Sequence, residues 1–261
     1  MRRTWPWAAC LGLLLAWCGA AQSAAPAVAN LRQPVFMSVV IDDLGQNLSR
    51  DRHVFDLPKG VALAILPDTP HAAELAREAH QRGRPILLHM PMDPAGGPFA
   101  WTPGLPADEL SRRLQAALDT VPYVQGVNNH EGSRMTADRA AMTLLVATLR
   151  ERHLYLLDSR TSAATVAADE AQKAGLASLS RDVFLDNDAT PDAVLAQLRS
   201  GIALARKQGS AVLIGHPHPA TLSTLAAELP KLRSQGIELV GPQWLIGERA
   251  NRSVNLSQRQ R

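Results

Sequence analysis

Cysteine is almost missing from this 261-residue chain, and both copies, Cys10 and Cys18, lie within the first eighteen residues. A chain that loses its first two dozen residues keeps no thiol. That excludes disulfides, thiolate zinc sites and cysteine nucleophiles together, so any metal must be held by His, Asp or Glu. Aromatic residues are also scarce, at 4%. Arg2 and Arg3 supply +2 and residues 244–261 supply +3 of a formal net charge of +3, which leaves about −2 for residues 25–243. A core that is neutral and poor in aromatics does not read as a nucleic-acid-binding surface. No glycine-rich phosphate loop follows any strand-like run, which argues against nucleotide binding of the Rossmann or P-loop kind.

The start of the chain is a separate object. Arg2-Arg3 precede an almost wholly apolar stretch from Trp5 to Trp17, and Gly19-Ala20-Ala21-Gln22-Ser23-Ala24-Ala25 follow it. This is the pattern of a secretory signal peptide over residues 1–24, with cleavage expected after Ala20, Ser23 or Ala25. An uncleaved anchor is the competing reading, but the apolar run is short for a span. Bulky Trp17 argues against a lipoprotein site at Cys18. The expectation is a periplasmic or secreted protein with no stable membrane insertion after cleavage. Residues 25–33 read as a linker, 34–247 as one domain, and 248–261, with arginines among Asn and Ser, as a disordered basic tail.

Within 34–247, strand-like and helix-like runs alternate. Strands are predicted at 35–41, 61–66, 85–90, 123–128, 154–157, 180–185, 211–214 and 237–240. Helices are predicted at 46–55, from Thr69-Pro70, at 107–120, at 136–152 with Thr136 as cap, at 162–174, from Thr190-Pro191 to Gln208, and at 220–235. Seven or eight β-then-α units argue for an α/β fold with parallel strands, closed as a deformed or incomplete (β/α) barrel. An open doubly wound sheet is the runner-up.

Five apolar runs end in residues that bind metals or move protons: Ile41-Asp42-Asp43, Leu88-His89, Asn128-Asn129-His130, Leu157-Asp158-Ser159-Arg160 and Ile214-Gly215-His216-Pro217-His218. In parallel α/β proteins such residues collect at the carboxyl edge of the sheet, where active sites lie. Side chains alternate along a strand, so Asp42 and Asp43 can hold a cation and accept a proton separately; capping the next helix is the plainer role. His130, in a turn with Gly132 and among amides able to orient its ring, reads as a ligand, and His89 is a second candidate. One of His216 and His218 reads as a proton donor or substrate contact. Asp158 and Arg160 either pair to tie two loops together or orient the base or the substrate. Asp186-Asn187-Asp188 reads as a turn before Thr190 or as part of the site. His53, His71, His80 and His153 have no clustered partners and read as surface residues.

Ile41-Asp42-Asp43, Asn128-Asn129-His130 with Gly132-Ser133, Asp158-Ser159-Arg160-Thr161 and Gly215-His216-Pro217-His218 together resemble the divergent polysaccharide deacetylase family, related to NodB-type carbohydrate esterases. The resemblance covers about residues 34–247. It implies a deformed (β/α) barrel, one divalent metal ion, usually Zn2+, and hydrolysis of acetyl groups on a polysaccharide or peptidoglycan-type glycan. It further implies Asp42 as general base, Asp43 and His130 as metal ligands, and His216 or His218 as the late acid. Asn129, Asp158, Arg160 and His218 are then expected to orient substrate. The related enzymes often pair their metal histidines four residues apart, but here that position is Arg134, so the second histidine is sought on another strand, at His89. Their Arg-Pro-Pro-Tyr segment is also absent. A glycan-binding envelope protein without catalysis is the rival reading. A two-metal phosphoesterase would need further carboxylates.

Overall fold

The computed structural model describes Met1 and residues 34–259, with side chains through Ser253. Met1 apart, the expected signal peptide and linker lie outside the described residues. Internal contacts divide the chain after Arg32, and the unit Gln33–Arg261 carries every element below.

The strands are β1 (Val35–Leu44), β2 (Ala62–Ile65), β3 (Ile86–Met92), β4 (Gly126–Glu131), β5 (Tyr155–Asp158), β6 (Ser178–Ser180), β7 (Val183–Phe184), β8 (Ser210–Gly215) and β9 (Ile237–Leu239). Between and after them lie α1 (Leu48–Asp51), α2 (Ala72–Gln81), α3 (Ala107–Thr120), α4 (Arg139–Glu151), α5 (Ala167–Lys173), α6 (Pro191–Gln208), α7 (Pro219–Glu228) and α8 (Pro242–Arg259). The strands form one parallel sheet in the order β6-β5-β4-β3-β2-β1-β8-β7, with β9 beside the start of β1. The two end strands, β6 and β7, are joined by only Arg181 and Asp182. Arg181 N–H donates to Asp158 O, and Asp182 N–H donates to Val212 O. The chain therefore crosses the seam between β5 and β8 without a β6–β7 ladder. This is the expected incomplete (β/α) barrel of parallel strands, and the adjacency of its ends excludes the open doubly wound sheet.

Both faces of the sheet are buried, which explains the near-continuous apolar runs. Phe36, Val40, Ala62, Ala64, Leu87, Tyr155, Leu157, Val212 and Ile214 pack in one core cluster. Met37, Val39, Ile41, Leu63, Leu88 and Leu213 pack in the other, with Leu75, Leu114, Leu145 and Leu198 of the helices. Gly126 is required inside the curl, since a Cβ there would lie 2.4 Å from the Tyr155 ring.

Several boundaries differ from expectation, each for a local reason. The expected strand 180–185 splits at Arg181-Asp182. α4 starts at Arg139 because Asp138, not Thr136, accepts the capping bond from Ala141 N–H. Thr136 instead lies within the 3-10 turn Met135–Ala137 and donates its hydroxyl to Gly132 O. The helix expected at 220–235 stops at Glu228, where Pro230 follows and 3-10 turns take over. The expected disordered tail is corrected as well: α8 runs through 248–259. It is held because Arg249 donates to Ser210 Oγ, and Arg252 pairs with Glu248 and donates to Gly209 O.

Candidate metal centre and catalytic site

Alternation on the inner face of the curled sheet brings the site together. On β1, Phe36, Val40 and Asp42 share a phase; on β4, Gly126, Asn128 and His130 do; on β8, Val212 and Ile214 precede His216. β3 and β4 pair in register His89↔Asn128, so these two side chains stand beside each other. Asp42, His89, Asn128, His130, Ser159 and His216 thus reach one place at the carboxyl edge.

Asp43 is the exception to alternation, and it makes the site. Asp42 and Asp43 belong to β1 rather than following it, and the pairing with β2 shifts register between Ile41 and Leu44. Asp43 adopts φ 57, a conformation uncommon for a residue with a Cβ. The irregularity lets consecutive carboxylates face the same imidazole: His89 Nε2 lies 3.6 Å from Asp42 Oδ2 and 3.2 Å from Asp43 Oδ1. Glu131 (φ 52) and Arg160 (φ 49) turn the chain in the same way after β4 and β5.

Three ligating atoms form a tight triangle. Asp43 Oδ1 is 2.8 Å from His130 Nδ1 and 3.2 Å from His89 Nε2, and the two ring nitrogens are 3.2 Å apart. Ligands about 2.0–2.1 Å from a tetrahedral ion would be ~3.3 Å from one another. Asp43 Oδ1 is buried and has no hydrogen-bond partner by geometry. The tautomer of His89 follows from its neighbour. Asn128 Nδ2 donates to Asp42 Oδ1 at 2.9 Å, so its carbonyl oxygen faces His89 Nδ1 at 3.0 Å and accepts from it. That bond turns the Nε2 lone pair of neutral His89 towards Asp43 and His130, as a supporting partner does for a metal ligand. Asp43, His89 and His130 therefore fit a divalent cation.

Charges at the site agree with this. Burial raises the pKa of Asp42, and His89, His216 and the Asn128 bond offset only part of the effect. Burial would raise Asp43 too, but His130 and His89 outweigh it and hold this carboxyl far below the usual range. Burial opposes charge on His89, yet the two aspartates raise its pKa. The negative field that draws a proton there would equally draw a cation.

His216 faces the triangle from β8, with Nε2 3.9 Å from Asp43 Oδ2. Its Nδ1 is 2.9 Å from Asp186 Oδ1, while Asp186 Oδ2 accepts from His216 N–H at 2.6 Å and from Thr221 Oγ1 at 2.8 Å. Burial opposes charge on His216, but Asp186 and the site carboxylates raise its pKa to about 9. A cavity of about 540 Å³ lies between the α1 region and α7, lined by Asn47, Arg50, Pro217, Pro219 and Leu222 and by none of the site's Asp or His side chains. Such a volume suits a small ligand or part of a larger one.

Other expected site residues lie outside the triangle of Asp43, His89 and His130. Asn129 points to the opposite face and is buried; it accepts from Ser159 N–H and donates to Glu131 O, so its amide ties β4 to β5. Asp158 is buried on that face too. Its carboxylate accepts from Arg160 N–H and Thr165 Oγ1, and no Asp158–Arg160 side-chain ion pair forms among the described residues. His218 is exposed, its ring 6.0 Å from that of His216, and Arg160 is exposed at the rim. Arg134, where the four-spaced histidine would stand, pairs with Asp93. His53, His80 and His153 are exposed as expected, and His71 is partly so. Asn128 and Asp186 were undervalued from sequence. Asn128 sits two before His130 on the same face, and Asp186 follows the strand expected at 180–185, the same signal that singled out the other site residues.

The inner-edge carboxylates and imidazoles on a curled parallel sheet define a NodB-like deacetylase architecture. The chain belongs to the divergent polysaccharide deacetylase family, whose pattern matches residues 39–246. It is 41% identical over 212 residues to an uncharacterized protein of Haemophilus influenzae, covering 78% of this chain and 74% of that one. Among solved structures, an uncharacterized protein of Agrobacterium tumefaciens C58 superposes with TM-score 0.78 at 24% identity, over 82% of this chain and 89% of that one. The polysaccharide deacetylase Bc1974 from Bacillus cereus shares the fold, with TM-score 0.51 at 13% identity, over 79% of this chain and 91% of that one.

Proposed function

We propose that this protein is an exported hydrolase that removes acetyl groups from an N- or O-acetylated polysaccharide, with one divalent cation, Zn2+ being the best match to its donors. The observation that carries the reading is the triangle of Asp43, His89 and His130 around a buried carboxylate oxygen with no hydrogen bond. Imidazole and carboxylate donors suit zinc and also accept nickel or cobalt. When bound, such an ion supplies Lewis-acid polarisation of the acyl oxygen.

The protein's own groups divide the proton work. Asp42, buried and with a raised pKa, takes a proton from the attacking water through Oδ2, while Asn128 holds Oδ1. A base whose pKa approaches the working pH is the more effective one. His216, kept protonated and oriented by Asp186, donates from Nε2 to the departing nitrogen or oxygen. Export rests on the N-terminal sequence, and the mature protein should begin between Ala21 and Pro26 in a mass spectrum of the exported material. Among the described residues, no helix is long and apolar enough to cross a membrane.

The test is metal content and acetate release from acetylated glycans by the same purified protein. One equivalent of metal with turnover supports the reading. Metal without turnover on any acetylated glycan would favour the glycan-binding alternative, and absence of metal would overturn the centre itself.

A further inference from the structure

Two guanidinium groups at the rim have no carboxylate partner among the described residues. Arg181, which crosses the barrel seam, donates from Nε to Ser159 O at 2.6 Å and from Nη2 to Arg160 O at 2.7 Å. Its guanidinium lies 3.7 Å from the centroid of the Phe184 ring, and Nη1 meets no acceptor there. Burial and the neighbouring Arg160 charge lower its pKa, against the weaker pull of Asp158, Asp182 and Asp42. Arg160 is exposed, and its side chain makes no hydrogen bond or ion pair among the described residues. Its backbone is held at φ 49 by the Asp158 carboxylate and by Arg181.

The nearby carboxylates are already engaged. Asp158 accepts from Arg160 N–H and Thr165 Oγ1, and Asp182 accepts from Val212 N–H and pairs with Arg249. Elsewhere around the barrel, Arg50, Arg134 and Arg139 each have a carboxylate partner. The unpaired charges are also close to the chemistry. Ser159 Oγ accepts from Asn128 Nδ2, which donates to Asp42, and the Phe184 ring lies 6.2 Å from that of His216. The positive rim therefore lies at the seam between β5 and β8, linked through Ser159 and Asn128 to the candidate base and through Phe184 to the candidate acid.

We propose that Arg160 and Arg181 form an anion-recognition subsite, so that the preferred substrate is an acidic glycan with a carboxylate on or next to the acetylated sugar. This rests on the glycan-directed reading of the site. A guanidinium fork matches a carboxylate geometrically, and charge-assisted bonds are the stronger kind.

The experiment is calorimetric titration of the full exported protein with three probes: a neutral N-acetylated oligosaccharide, the same oligosaccharide carrying a carboxylate, and inorganic phosphate. Wild type should bind the carboxylated probe about tenfold tighter than the neutral one. Salt should erode the difference. Arg160→Ala, which removes an exposed side chain, should abolish the preference, and Arg160→Lys should restore part of it. Equal binding of both oligosaccharides by wild type and Arg160→Ala would overturn the subsite while leaving the glycan reading in place. Binding of neither would overturn both. Competition by phosphate as strong as by the carboxylated probe would overturn the carboxylate assignment.

Discussion

Asp43, His89 and His130 on one flank of the site and Asp186, His216 and His218 on the other are both groups of Asp and His within ligating reach of one another. Their composition is nearly the same, and their hydrogen bonding is opposite. In the first, Asn128 Oδ1 accepts the hydrogen bond from Nδ1–H of His89, and the buried Asp43 Oδ1 accepts nothing. In the second, both Asp186 oxygens are occupied by His216 and Thr221, and His218 is exposed. The first group leaves a buried carboxylate oxygen without a donor, and the second has every carboxylate oxygen already matched to a donor. Proton accounting, more than residue type, separates a place for a cation from a place for an acid.

The largest effect should break the comparison outright if it is wrong. Asp43→Ala or His130→Ala should remove the metal from protein that still folds, whereas Asp186→Ala should keep it, as measured by elemental analysis and circular dichroism. Metal lost from Asp186→Ala and kept in His130→Ala would exchange the roles of the two groups.

Next in size, Asp42→Asn should retain metal and lose hydrolysis of an acetylated glycan by roughly 100-fold or more, the range for a removed proton-transfer group. The acidic limb of its activity–pH curve should vanish as well. An Asp42→Asn protein without metal would make Asp42 a ligand instead. Asn128→Ala should weaken metal affinity by about 10- to 100-fold, as loss of a partner that orients a ligand does. Unchanged affinity would mean that the His89 tautomer is set by something else.

The smallest effect concerns the second group alone. His216, with its pKa raised to about 9, acts as an acid below that pH, so activity should fall as pH rises through about 9. Asp186→Asn removes the partner that raises it, and the alkaline limb should move to lower pH. The linked stability has the same sign: it is complete below the ordinary histidine value near 6.5 and is lost as pH rises through about 9. An unmoved limb in Asp186→Asn would remove His216 from the role of acid.

Much of this protein is legible without coordinates because the relevant signals are local. Apolar runs, Thr190-Pro191 before a helix that ends at Gln208, and the acidic and imidazole residues after the runs all follow from spacing along the chain. The absence of thiols from residues 34–247 needs no structure at all. Tertiary structure alone decided the rest, because strand order and register join residues far apart in sequence. Only the β3–β4 pairing sets Asn128 beside His89, and only the irregularity between Ile41 and Leu44 turns Asp43 to the face that Asp42 already occupies. Asp186 became the partner of His216 because β7 lies against β8. Asn129 and Asp158, next to site residues in sequence, fell on the other face because alternation gives consecutive strand residues opposite sides.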